Sequence, residues 1–191
     1  MTSGMETPIL LEKRLEDLYA LIDGIATAMV TTRRTDGRLV SRPMKTQRRT
    51  TGTDLWFVTN VESEGFEDLA KDPQVNLAYL RDRTGEWVSV SGQAMLARDR
   101  DIIDSLYKPE WKAWFPDEGD GKRTGGPHDP RIALILVEAQ AVTYSRSDKP
   151  MPLVLFEAAK SRLMGEARRP TEPRSLSARE LTKPRVFPDL R

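Results

Sequence analysis

Residues 29–60, MVTTRRTDGRLVSRPMKTQRRTTGTDLWFVTN, pack three extended segments and two turn signals into one short run, and the rest of the chain is laid out around them. Ala28 to Arg33 and Arg38 to Gln47 are rich in Val, Thr and Met. Thr35-Asp36-Gly37 between them supplies a turn whose glycine takes positive φ, so the two segments form a hairpin. A second turn at Thr51-Gly52-Thr53 leads into Leu55-Trp56-Phe57-Val58-Thr59, whose aromatic and β-branched residues suit a pleated surface. The expectation is a three-stranded meander. Within its middle strand the period of two puts Arg42, Met44 and Thr46 on one face and Ser41, Lys45 and Gln47 on the other. Pro43 donates nothing to a ladder, which places this strand at an edge or at a bulge and leaves nearby backbone amides for a ligand. The competing reading is a polar edge strand of an ordinary barrel.

Working outward, Leu11, Leu15, Leu18 and Ile22 recur at helical spacing after Thr7-Pro8, with Gly24 expected to end the run. Glu62 to Asp72 reads as a short helix carrying Phe66 and Leu69, closed by Asp72-Pro73. Val75 to Leu80 is a strand, and Trp87 to Leu96 alternates strongly, with Gly92 marking a bend or a close backbone approach. Arg98 to Tyr107 forms a helix stopped by Pro109. The segment after it carries Trp111, Trp114 and Phe115, large aromatics that cover a barrel end or a subunit contact, or stack on a planar ligand. Arg131 to Tyr144 is a strand apolar on both faces, and Pro152 to Leu163 a closing helix. About six strands joined by hairpins and a few helices indicate a mainly β (α+β) chain: a small antiparallel barrel, closed or nearly so, with peripheral helices. Residues 1–164 are expected as one domain, and 165–191, rich in Pro and Arg, as a tail anchored by Val186 and Phe187.

Composition excludes much chemistry. The 191 residues contain no cysteine and one histidine, which removes disulfides, thiol catalysis and thiolate-held metals, so a redox role needs a borrowed cofactor. His128 reads as a solvated loop residue, no metal site is expected, and Asp117, Glu118 and Asp120 lack calcium-loop spacing. A net charge of +1 offers no chain-wide field for nucleic acid. The arginine pairs 33–34 and 48–49 form an anion site only if they meet across the meander. No apolar run has membrane-span length and the amino terminus lacks a secretory pattern, so a cytoplasmic protein is expected.

Six pieces in order, Met29-Val30-Thr31-Thr32, Asp36 to Met44, Leu55 to Thr59, Asp72 to Tyr79, Val88 to Ala94 and Lys112 to Pro116, resemble the pyridoxamine 5′-phosphate oxidase-like flavin-binding split barrels, in the bacterial general stress protein branch. The resemblance implies a six-stranded split barrel, a homodimer, and FMN, or FAD in some members, at the subunit interface. Carried over by similarity, Arg42, Pro43 and Met44 contact the ribityl chain and ring, Thr59 and Ser63 approach the phosphate, Gln93 faces the cofactor region, and Trp114 closes over it. This chain reads Ser63-Glu64-Gly65 where the family usually reads Ser-x-Lys. The implied activity is oxidoreduction by hydride transfer through the flavin, with the substrate open and no catalytic side chain named. The alternative is a split barrel that binds without catalysis, its flavin affinity weakened or lost.

Overall fold

The computed structural model describes residues 11–49, 55–147 and 172–181. The Thr7-Pro8 helix start, the turn at residues 51–53, the expected helix over 152–163 and the Val186-Phe187 anchor lie outside them.

Helix α1 (Leu11–Ile25) buries Leu15, Leu18, Leu21 and Ile22 against the sheet. Its end differs from expectation. The helix runs through Gly24, and the reversal falls on Ala26, which takes φ 64° while its N–H donates to the Ile22 carbonyl at 2.8 Å. The hairpin β1 (Thr27–Arg33) and β2 (Leu39–Lys45) forms as read, with Met29 opposite Pro43 and Thr31 opposite Ser41. The later elements are β3 (Leu55–Asn60), α2 (Glu64–Lys71), β4 (Gln74–Arg81), β5 (Glu86–Ala97), α3 (Arg100–Leu106), a 3-10 turn over Pro109–Ala113 and β6 (Ile132–Ser145). The last pair is β7 (Arg174–Ser177) with the one-turn helix α4 (Ala178–Leu181).

The sheet order is β2-β1-β4-β5-β6-β3, with β7 on β6, antiparallel throughout. That makes seven strands among the described residues where six were expected. The seventh comes from the segment read as a tail. Leu176 is buried there, and Arg174 joins Arg146 in pairing with the buried Asp17 of α1.

The meander does not form. β3 pairs with β6, Phe57 opposite Ile135, and forms no ladder with β2; past the end of β2 the Gln47 N–H donates to the Trp56 carbonyl at 3.0 Å. The cause is burial on two faces. Leu55 and Phe57 point into the barrel core with Leu77, Val90 and Val137, while Trp56 and Val58 join a second cluster with Ile103, Trp111, Phe115 and Leu134. Only β6 offers a neighbour apolar on both sides; β2, with Ser41, Arg42 and Lys45, would strand one face of β3 in water. The expected edge character of β2 holds, since it ends the sheet. Between its edge and that of β3 the barrel stays open.

Gly92 serves the backbone approach anticipated for it. The β5–β6 register shifts between Ser91 and Gly92, and a side chain at 92 would place its Cβ 2.2 Å from the Glu138 carbonyl oxygen.

Candidate functional site

The opening between β2 and β3 is a cleft of about 240 Å³, floored by the barrel and roofed at one end by α2. β2 alternates exposed and half-buried residues, so Arg42 and Met44 turn inward along it. From β3 come Val58, Thr59 and Asn60, and from the turn into α2 come Ser63 and Gly65; Trp114 and Phe115 form the far rim. Of the seven residues proposed from sequence, Arg42, Pro43, Met44, Thr59, Ser63 and Trp114 all line this cleft. Gln93 does not. It is exposed on β5 between Gln74 and Glu138, on the outer side of the sheet. Trp56 is fully buried in the second cluster and donates to the Arg48 carbonyl at 2.7 Å.

The polar end is built around one guanidinium. Arg42 donates to the Thr32 hydroxyl at 2.9 Å and pairs with Asp68 of α2 at 3.2 Å, while Thr32 also donates to Asp68 at 3.3 Å. Asp68 is buried, so it holds Arg42 in place more firmly than a surface carboxylate would. Sequence reading missed Asp68. Its signal was helical spacing: Glu64, Gly65 and Asp68 share one face of α2, the face turned to β2.

Gly65 matters by its smallness. The Arg42 side chain lies against it, with its Cδ 3.4 Å and its Cζ 3.5 Å from where a Cβ would stand. Ser63 caps α2 by accepting from the Phe66 N–H at 3.3 Å and donates to the Asn60 carbonyl at 2.7 Å; its hydroxyl is 3.4 Å from that of Thr59. The first-turn amides of Glu64 and Gly65 have no intrahelical acceptor. Two hydroxyls, a cation and helix amides suit an anion such as a phosphomonoester.

The other end is apolar. Val58, Ile135, Met44 and Phe115 line it, and Trp114, 45% exposed, stands at the rim. The three aromatics of that segment therefore divide: Trp111 is core, Phe115 is core and also lines the cleft, and Trp114 stands exposed at its rim. Its backbone is held from below. Arg131, itself buried, pairs with Asp129 at 2.7 Å and Glu118 at 2.6 Å and donates to the Pro116 carbonyl at 2.8 Å. Burial opposes ionisation of Asp129. Hydrogen bonds from Arg131 and from the Gly125 N–H outweigh it and hold that carboxyl below the usual range.

The arginine pairs do not converge. Arg49 makes two hydrogen bonds to Asp23, at 2.8 and 2.7 Å, and stacks on Tyr19, so it braces α1 and does not line the cleft. Arg33 pairs with Asp72; Arg34 alone reaches α2, through Glu64. His128 is exposed, and among the described residues no group of three His, Cys, Asp or Glu side chains converges to hold a metal. Nor is any described helix long and apolar enough to cross a membrane.

Residues 13–168 match the family described as pyridoxamine 5′-phosphate oxidase like. Protein bli-3 of Neurospora crassa is 35% identical over 181 residues, covering 94% of this chain and 87% of that protein. Among solved structures, a protein from Clostridium acetobutylicum related to general stress protein 26 superposes with a TM-score of 0.60 at 19% identity, covering 76% of this chain and 99% of that one. A general stress FMN/FAD binding protein of Xanthomonas citri gives 0.58 at 22% identity, covering 73% and 93%. These likenesses establish the split-barrel fold.

Proposed function

The chain belongs to the pyridoxamine 5′-phosphate oxidase-like family, and from that premise we propose that it is a cytoplasmic flavin-binding protein of the general stress type, taking FMN, or FAD, into the β2–β3 cleft. The observation that carries this reading is the division of that cleft into a guanidinium end and an apolar, tryptophan-rimmed end, which matches a planar ring joined to a phosphate. Arg42, Thr59 and Ser63 hold the phosphate, Pro43 and Met44 run beside the ribityl chain and ring, and Trp114 covers the ring face.

Bound flavin supplies a site that accepts or donates hydride. The protein's own part is orientation and exclusion of water: the Arg131–Asp129 pair fixes the rim on which Trp114 sits, and Asp68 fixes Arg42. Among the described residues no titratable side chain lines the apolar end. The substrate is accordingly set by what reaches the ring.

A cleft of about 240 Å³ falls below the roughly 300–1,000 Å³ of sites that enclose a drug-sized ligand. One protomer thus covers only part of a flavin, which supports a homodimer whose second copy completes the site. The outer face of the sheet offers a surface for it. Met29, 41% exposed, stands in register with Pro43, Ala78 and Ser89, and Gln93 further along β5 is exposed too.

A second reading, a binding module without catalysis, is favoured by one observation: Arg42 already has two carboxylate neighbours, Asp68 and Glu64. An absorbance spectrum of the purified protein decides between them. Flavin bands with one FMN released per chain, and bleaching by a chemical or nicotinamide reductant, support the redox reading. Colourless protein whose Tm does not rise with saturating FMN refutes flavin binding.

A further inference from the structure

Glu64 stands at the start of α2, and its Oε2 lies 3.6 Å from Arg42 Nη2 and 3.6 Å from Arg34 Nη1. One carboxylate oxygen is therefore shared by guanidinium groups from β2 and from just past the end of β1, beside the Arg42 that lines the cleft. We propose that Glu64 is an intramolecular competitor occupying the position of a ligand phosphate, and that Arg34 is the second cation of that phosphate site. This rests on the phosphate binding at Arg42, as above.

The two acids beside Arg42 differ in kind. The Asp68 side chain is 8% exposed and also accepts from Thr32, so it stays when a ligand arrives. The Glu64 side chain is 73% exposed and has no hydrogen bond to either arginine at hydrogen-bonding distance, only ion pairs. Exposed pairs of this type shift an equilibrium by no more than about fivefold each, so an incoming anion displaces them. A phosphomonoester carries nearly two charges on three terminal oxygens and bridges both guanidinium groups where one carboxylate oxygen does so now. Arg34 is free to follow it: its other ion pair is a single contact from Nε to Asp36 at 3.9 Å. Affinity for the phosphorylated ligand is thereby lowered by the chain's own carboxylate, whereas an unphosphorylated flavin is indifferent to it.

The test compares FMN with riboflavin on the full chain, titrated by flavin fluorescence at fixed low salt, for wild type, Glu64→Gln and Arg34→Gln. Removing the competitor in Glu64→Gln tightens FMN by about three- to tenfold and leaves riboflavin unchanged; Arg34→Gln weakens FMN by a similar factor and again spares riboflavin. Thermal melts without ligand show whether each variant is folded, and Arg34→Lys, which keeps the charge, retains most of the affinity. If wild type binds FMN and Glu64→Gln leaves the FMN-to-riboflavin ratio unaltered, the competitor role is refuted and flavin binding survives. An unchanged ratio in Arg34→Gln removes Arg34 from the site. If neither wild type nor Glu64→Gln binds either flavin, both readings fall.

Discussion

Replacing Arg42 by methionine removes the guanidinium and keeps much of the packing volume, and its two consequences are separable. The first is on binding. A hydrogen bond from a charged group is worth about 1.5–3 kcal/mol, so losing Arg42, the one cation among the described residues lining the cleft itself, raises the FMN Kd by roughly 10–150-fold. The second is on stability. Asp68, with an 8% exposed side chain, loses its ion pair. Stranding a fully buried charge costs about 3–5 kcal/mol. Here Arg42 is 28% exposed and Thr32 still donates to Asp68, so about 1–2 kcal/mol, or roughly 2–8 °C in Tm, is expected. Adding Asp68→Asn to Arg42→Met removes the stranded charge and recovers most of the lost Tm, but not the lost affinity. Calorimetric titration with FMN and thermal melts of the four proteins in the cycle measure both. Wild-type FMN affinity in Arg42→Met would mean that the phosphate binds elsewhere. Full recovery of affinity in the double variant would mean that Arg42 acts only by neutralising Asp68.

Two further outcomes follow from the barrel. Gly92→Ala drives a Cβ to 2.2 Å from the Glu138 carbonyl oxygen on a central strand, and should cost at least about 1–3 kcal/mol, roughly 3–10 °C in Tm, while Ser91→Ala on the exposed face stays within about 0.5 kcal/mol by the same melts. Burial raises the Tyr79 phenol to about 12, against about 10 for an unfolded tyrosine. Because the folded pKa is the higher one, the stabilisation is complete below pH ~10 and is lost as pH rises toward 12. Denaturant midpoints should fall between pH 9 and 11.5, and Tyr79→Phe should flatten that slope in part, the buried Tyr144 supplying some of the remainder.

How far the site was legible depends on where each residue sits. Arg42, Pro43 and Met44 stand on one alternating strand with a proline that forbids a central position, so facing and edge placement follow from local pattern. Trp114 was legible as an aromatic in a polar connection, though nothing local told it apart from Trp111 and Phe115, which the second core cluster claims. Gln93 was assigned by similarity, and the strand's own alternation turns it outward.

Period and turn chemistry alone set the number and type of most elements and the inward face of each strand, because side-chain direction in a strand is fixed every second residue. Which strands become neighbours is a different matter. β3 leaves the hairpin beside it in sequence for β6 because two apolar faces must both be covered, and only the assembled barrel offers a partner that covers them. The cleft exists because of that choice. The pairing of Arg42 with Asp68, and the strand that 174–177 adds to β6, likewise arise only when distant segments are brought within contact, since charge neutralisation and burial depend on distance in space and not along the chain.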